Sequence, residues 1–336
     1  MKKLLIILLV VALALTSISA KGSKEADSKK MDALTIMFVP SRDIDLIKTQ
    51  TDALCSLLKD QLAKRGFEVG EVKISVGSDY NAVGEAMGAG TCDMGFIPAG
   101  TYVTYRDVSN VILTATREAK DRDSDDPMVW NDGEVFNDPE KVANGYRALI
   151  YCDVTTPRGK ALYNKVANGQ KFTWDELAAC NWGVSSTTSS AGYIYPSIWL
   201  YRQFGKTVAD LPHAVQAGGY AAAFAGIAAG QYDIIVCYAE GRQDYANKWQ
   251  AEFGRKDTIW NEMKVIGVTD MIVNDTISVR KDMSADLQAA LQDSMIEIAG
   301  TPEGKDIIAI YNHTGYVKAL DSDYDAAALA QEIFKK

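Results

Sequence analysis

The sequence predicts an α/β fold in two lobes, each a mainly parallel sheet flanked by helices, with a cleft between them. Three observations predict it. Short apolar runs alternate with segments of helical spacing, the pattern of β–α–β units. The links between them are short, which favours right-handed crossovers and parallel pairing. The alternation breaks at an acidic stretch, residues 117–145, then restarts as a second α/β unit. The expected division is residues 34–147 plus 268–336 for one lobe and 148–267 for the other. A chain that passes between two such units implies a cleft, and ligands of open α/β sheets sit at the carboxyl ends of strands.

In order, Leu34-Thr-Ile-Met-Phe-Val-Pro40 is an apolar run ended by proline, a buried strand and then a loop. From Ile44 to Arg65, apolar residues at Leu46, Ile47, Leu54, Leu57, Leu58 and Leu62 give helical spacing, and Gly66 stops it. Val69, Val72, Ile74 and Val76 mark a second strand. Asp79 starts a helix that Gly88 and Gly90 end, and Cys92-Asp-Met-Gly-Phe-Ile-Pro98 is a third strand. Asp121, Asp123, Asp125 and Asp126 then form an acidic loop. Its spacing imitates the start of a calcium loop but lacks the required glycine and the closing glutamate, so it reads as a solvated surface insertion.

The second unit runs through a strand at Tyr146 to Asp153 and helices at Gly159 to Ala167 and Trp174 to Ala179. A strand leading to Val184 follows, then helices at Tyr195 to Phe204 and Gly219 to Ala229 and a strand at Asp233 to Cys237. Strands at Val265 to Val268 and Thr276 to Val279 lead back. Helices at Ala285 to Ala299, Gly304 to Tyr311 and Asp325 to Phe334 are expected to pack on the first unit.

Met1 to Ala20 has the layout of a secretory signal peptide, with basic Lys2 and Lys3, an apolar core from Leu4 to Leu15, and small residues after it. The apolar core is short for a membrane span. Lys21 to Lys30 is small and charged, a tether. The chain is therefore expected to be exported, either periplasmic or tethered to the outer face of the membrane. The 336 residues suffice for two ordinary lobes with proper cores, and a formal net charge of −9 argues against a nucleic-acid partner. The 5 cysteines have no C-x-x-C spacing, and buried thiols are the plain reading of Cys55 and Cys237. Neither of the 2 histidines, His213 and His313, has metal-ligand company in sequence, so no metal and no cofactor is expected.

The stretch Val184-Ser-Ser-Thr-Thr-Ser-Ser-Ala-Gly-Tyr-Ile-Tyr-Pro196 carries the chemistry. It runs from a strand into a helix, and its hydroxyls, Ser186 to Ser190, outnumber what one helix cap needs. Free N–H groups and the helix dipole together favour an anion at such a start. On composition alone, the stretch reads first as a polar loop with an ordinary cap, because Ser/Thr clusters are common in loops.

Several stretches resemble the periplasmic substrate-binding proteins of ABC transporters for phosphate, phosphite and phosphonates. They are Thr35 to Pro40; Ser78-Asp-Tyr80 with Val83 and Glu85-Ala86; Gly90-Thr-Cys-Asp93 through Pro98 to Tyr102; Gly145-Tyr-Arg147; Thr188 to Pro196; Gly230-Gln-Tyr-Asp233; and Val279 to Asp282. They run in order over about residues 34 to 300.

The resemblance implies a type II periplasmic-binding-protein fold, a small oxyanion ligand gripped between two lobes, an ABC permease as partner, and a monomer. Carried over by position, Tyr80 and Tyr146 flank the ligand, and Ser186, Thr187, Thr188, Ser189 and Ser190 offer donors, with the register open among them. Tyr220 stands where the family often has histidine. Glu240 lies where aminophosphonate binders place a carboxylate for an amine, and Asp270 or Asp275 is a second candidate. Val273 replaces a usual proline, and residues 121–138 are an insertion.

Hydroxyl donors hold an anion without a covalent step, so a binder rather than an enzyme is expected, with no catalytic residue. A serine hydrolase needs a base near its nucleophile, and the chain has no G-x-S-x-G elbow. A ligand-sensing ectodomain would use the same cleft and remains the alternative. A carboxylate at Glu240 would suit a phosphonate bearing an amine.

Overall fold

The structure, a computed structural model, describes residues 29–143 and 145–332. The expected signal peptide and most of the tether lie outside the described residues. Among the described residues no helix is long and apolar enough to cross a membrane.

Among the described residues, twelve strands form two sheets. The first contains β1 (Lys30–Phe38), β2 (Glu68–Val76), β3 (Met94–Ile97), β4 (Ser109–Lys120), β5 (Asn137–Ala143), β11 (Thr276–Arg280) and β12 (Gly315–Lys318). Its order is β2-β1-β3-β11-β4-β12, with β5 on β4. The second contains β6 (Gly145–Asp153), β7 (Trp182–Val184), β8 (Ala214–Gln216), β9 (Ile234–Tyr238) and β10 (Met263–Val273), in the order β10-β6-β9-β7-β8. The chain is thus α/β and two-lobed.

The sheets are mixed, which corrects the expectation of mainly parallel ones. Parallel pairing is confined to β2-β1-β3 and to β9-β7-β8, where helices cross over between successive strands. Strand β11 enters from the second lobe and runs antiparallel to β3 and β4, while β6 runs antiparallel to β9 and β10. The chain changes sheets between Ala143 and Gly145 and again between Val273 and Thr276. Residues 145–147 and 268–273 therefore lie in the second sheet rather than the first. Asn274 stitches the two crossings: its side-chain amide donates to Ala115 O and Ala143 O, both at 2.9 Å.

Local signals explain most elements. The helix Tyr80–Gly88 starts where Asp79 accepts from Ala82 N at 2.9 Å. Helix Tyr195–Phe204 carries Pro196 in its first turn and ends at Gly205 in the left-handed region. The long helix expected from Ile44 to Arg65 is two, Ile44–Thr51 and Leu54–Lys64, with Asp43 capping the first. The acidic insertion is not merely solvated. Trp130 and Val135 are buried, Arg242 donates to Trp130 O at 2.5 Å, and the Asn131 side chain exchanges two 2.8 Å bonds with the Val265 backbone. It docks on the second lobe.

One hydrophobic core is continuous across both lobes, joining Phe38, Phe96 and Tyr102 to Ile194, Tyr195 and Phe224. A smaller core, around Trp182, Leu200 and Val236, fills the far side of the second sheet. The two lobes also share a motif 140 positions apart. Tyr80 and Tyr220 each begin a helix, Gly90 and Gly230 each follow it at positive φ, and Asp93 and Asp233 each precede a strand. The two aspartates do the same work, accepting from Thr35 N at 2.7 Å and from Asn181 N at 2.9 Å.

Candidate functional site

The carboxyl ends of β1, β3 and β9 converge on a cleft of about 490 Å³, open mouth included, between the lobes. The hydroxyl stretch forms its second-lobe wall. Ser185 N donates to Gly192 O at 3.0 Å, closing the loop, and Ser189 Oγ accepts from Gly192 N at 3.2 Å, capping a single π turn, Ser190–Ile194. That turn feeds the helix Tyr195–Phe204. Residue 192 must be glycine, because a Cβ there would lie 2.3 Å from Ser185 Cβ and 3.0 Å from both Ser189 Oγ and Tyr220 Oη.

The turn separates the hydroxyls by position. Ser189 and Ser190 line the cleft. Ser186 and Thr188 are buried outside it, and Thr187 is exposed, with its Oγ1 accepting from Asn81 Nδ2 at 3.3 Å. The structure does not bring these three to the cleft. Two bonds join the lobes here: Gly100 N to Ser190 Oγ at 2.8 Å, and Thr101 Oγ1 to Thr188 O at 3.2 Å. Gly100 permits that approach, since a Cβ would meet Thr188 O at 2.8 Å.

Tyr80 and Tyr220 face one another across the cleft from the starts of their helices, with Tyr220 Oη 3.3 Å from Ser189 Oγ. Tyr220 packs edge-on against Tyr238 at 4.9 Å between centroids. Burial pushes the phenols of Tyr80, Tyr146 and Tyr220 well above their ordinary value, so all three remain donors.

The cleft also holds charges that sequence reasoning missed. Arg117, on β4, is buried and lies 4.8 Å over the Tyr146 ring. Its guanidinium pairs with Asp275, beside the second crossing between sheets. Tyr146 Oη lies 3.5 Å from Asp275 Oδ1, and His313 Nε2 lies 3.3 Å from Asp275 Oδ2. His313 arrives from the turn at Asn312, whose φ of 58° swings the ring inward. Burial lowers the His313 pKa against the opposing pull of Asp275, so the ring stays neutral. Burial alone would raise the Asp275 carboxyl, but Arg117 and then His313 outweigh it and hold it at about 2.

At the mouth, Arg42 stacks 4.5 Å over Tyr238, bonds its hydroxyl, and pairs with Asp244 at 2.8 Å. The signal for Arg117 was present in sequence. On β4 the inward register runs Leu113, Ala115, Arg117, and an arginine continuing an apolar face must have a buried partner.

Two expected site residues fall elsewhere. Asp270 is a correction: it is half exposed on β10, within the register shift between Val268 and Met271, paired with Arg202 at 2.6 Å and outside the cleft. Asp275, the other candidate, is the one in the cleft. Glu240 is buried but lines a hinge-side cavity rather than the central cleft. Lys120 at 3.4 Å and Arg117 at 4.0 Å approach its Oε1. Burial would raise its pKa, yet these cations hold it below the ordinary value, so Glu240 is an ionised structural partner. Three first-lobe cations, Arg42, Arg117 and Lys120, thus grip two second-lobe carboxylates one helical turn apart, Glu240 and Asp244.

Residues 36–324 match the family described as ABC transporter, phosphonate, periplasmic substrate-binding protein. No sequence among curated proteins matches the chain. Among solved structures it is similar to a binding-protein component of an ABC phosphonate transporter from Pseudomonas aeruginosa. That match has a TM-score of 0.68 and 15% identity, covering 90% of this chain and 86% of that one. It is also similar to PhnD1 of Prochlorococcus marinus in complex with methylphosphonate, at TM-score 0.63 and 14% identity, covering 91% and 99%. A Xanthomonas citri protein bound to ATP matches at TM-score 0.62 and 13% identity, covering 91% and 99%. These likenesses establish the shared fold, and the family match establishes an exported solute-binding protein rather than an enzyme. With a two-lobed fold and a match over most of its length, this chain belongs to the periplasmic substrate-binding proteins of phosphonate ABC transporters.

Proposed function

We propose that the two lobes close on a small phosphonate, held by Ser189, Ser190, Tyr80 and Tyr220 in the field of Arg117 and Arg42. The observation that carries this reading is the pairing of Ser189 and Ser190, at a helix-forming turn, with two buried tyrosine hydroxyls from opposite lobes. Neutral donors that cannot deprotonate surround the anion, and two guanidiniums make the lining net positive. Phe96, Pro98 and the tyrosine rings give the organic arm an apolar wall. Glu240 is already neutralised by Lys120 and Arg117, so an ammonium arm gains nothing from it. The protein then acts as a monomer that hands its ligand to a membrane permease, exported by its leader.

A thermal-shift series of methylphosphonate, phosphite, phosphate, 2-aminoethylphosphonate and sulfate tests the reading. Ligand at a hundred times its Kd adds about 2.7 kcal/mol of stability. Methylphosphonate is expected to raise Tm at least as much as 2-aminoethylphosphonate. Absence of a shift with every phosphorus compound would overturn the proposal.

A further inference from the structure

The fixed charges around the cleft cancel in pairs. Arg42 is matched by Asp244 at 2.8 Å, Lys120 by Glu240 at 3.4 Å, and Arg117 by Asp275. A doubly charged phosphonate adds two negative charges to that balance, in a buried place where salt screens little. The tyrosines cannot offset them. A phenol only loses a proton, and burial holds Tyr80, Tyr146, Tyr220 and Tyr311 protonated. Asp275 is held ionised by Arg117 and His313. Among the described residues that line the cleft, His313 is the neutral base.

The surroundings of His313 accommodate either charge. The ring is buried, and Tyr311 and Tyr316 stand edge-on to it at 5.8 and 5.6 Å between centroids. Nε2 lies 3.3 Å from Asp275 Oδ2, and an ionised carboxylate only accepts, so Nε2 holds the proton. Nδ1 lies 3.2 Å from Tyr316 Oη, and a hydroxyl both donates and accepts. With the ring neutral, Tyr316 donates to Nδ1. With the ring charged, Nδ1–H donates to Tyr316. Turning one O–H bond exchanges the two states without moving a heavy atom. Three charges reach the ring. Asp275, at the second crossing, favours the imidazolium; Arg117 on β4 and Arg42 beyond β1 oppose it, together with burial. Behind the ring, a small cavity walled by Phe38, Leu54, Phe96 and Ile308 brings no charge. An anion beside Arg117 and Arg42 offsets the two opposing cations, and the attraction of Asp275 then prevails over burial.

We propose that His313 is the charge-compensating residue of the cleft, neutral while the cleft is empty and protonated when a doubly charged phosphonate enters. The inference rests on the phosphonate reading above and deepens it. The proton comes from solvent and bonds to Nδ1; no other covalent bond changes. His313 acts through the field it shares with Asp275 and Arg117, so it is a positioning residue and needs no contact with the ligand. Coupling of this kind is reciprocal: the factor by which the ligand raises the ring's proton affinity is the factor by which the charged ring raises ligand affinity.

The chain has 2 histidines, His213 and His313, which makes the test direct. Their ring resonances are followed by NMR from about pH 5 to 9 in the intact protein, with and without saturating methylphosphonate, and His213→Gln assigns them. The ligand is expected to raise the proton affinity of His313 at least about tenfold and to leave His213 unmoved. Calorimetry gives a second reading. The ratio of wild-type to His313→Gln affinity cancels the ligand's own titration. It is expected to grow about tenfold or more as pH falls from the value at which the occupied ring titrates to the value at which the empty ring does, and to level off below that. A ring titration unmoved by ligand, or a flat affinity ratio, would each overturn the inference. So would proton uptake on binding that persists in His313→Gln, since it places the proton on another group. If His313→Gln fails to fold, the wild-type NMR titration still judges the inference. Failure of methylphosphonate, phosphite and phosphate alike to bind wild type would instead overturn the phosphonate reading, and this inference with it.

Discussion

Tyr80 and Tyr220 are each the first residue of a helix, and each keeps its proton because burial opposes the phenolate. A residue in that position can lose its hydroxyl without disturbing the helix. Tyr220→Phe is therefore expected to weaken phosphonate binding by about 1 kcal/mol while leaving Tm nearly unchanged, read by calorimetry beside a melting curve. A large fall in Tm would mean that the Ser189–Tyr220 contact is structural. Asp275 has a measurable stability signature as well. Its folded pKa of about 2 lies below the ordinary 3.8. It thus contributes stability that is fully present above about pH 3.8 and lost as pH falls toward 2. The linked amount is about 2 kcal/mol. Urea unfolding of wild type and Asp275→Asn across that window is expected to converge at the acid end. Asp275 also shows where residue-level reading stopped. Asp270 and Asp275 look alike in sequence, and only the β-bulge in β10 and the bend at Asn274 decide which one meets Arg117.

Among the elements, the hydroxyl turn is the most constrained. Gly192→Ala would drive a Cβ to 2.3 Å from Ser185 Cβ. The expected cost is about 1–3 kcal/mol of stability, with a loss of ligand affinity, because Ser189 and Ser190 can no longer hold their places. Unchanged binding by that variant would remove the turn from the site. The helix Gly241–Ala251 has the opposite role. Its first turn brings Glu240 and Asp244 to Arg117, Lys120 and Arg42 of the other lobe. Removing one partner from a buried ion cluster leaves the others uncompensated. Glu240→Gln is expected to cost about 3 kcal/mol in chemical unfolding. Small-angle scattering of the ligand-free variant should also give a larger radius than wild type. An unaltered radius would mean that the cluster does not hold the lobes together.

Elements with their own punctuation were legible in sequence. Asp79 caps a helix where it was expected, and Gly205 ends the helix expected to run to Phe204. The break at Asp52-Ala53 was not legible, because Leu54, Leu57 and Leu58 continue the same apolar face across it.

At the scale of the molecule, strand direction was the hidden quantity. Apolar runs identify strands but carry no record of their neighbours. Strand β11 pairs with β3, whose residues lie about 180 positions away, so its antiparallel entry could not be read locally. The site was half legible for the same reason. Ser189, Ser190, Tyr80 and Tyr220 belong to short motifs, whereas Arg117, Asp275 and His313 meet only because three distant segments converge at the crossings between sheets.

The two bonds that run from Gly100 N to Ser190 Oγ and from Thr101 Oγ1 to Thr188 O have a kinetic consequence. Ser190 is both a wall of the cleft and a bolt across it. A ligand enters while the bolt is open, so its association rate carries little trace of the closed geometry. Departure requires the bolt to be drawn first. Residence time is then a clock for lobe separation, and Thr101→Val, which touches no ligand, would shorten it while leaving the rate of capture as it was.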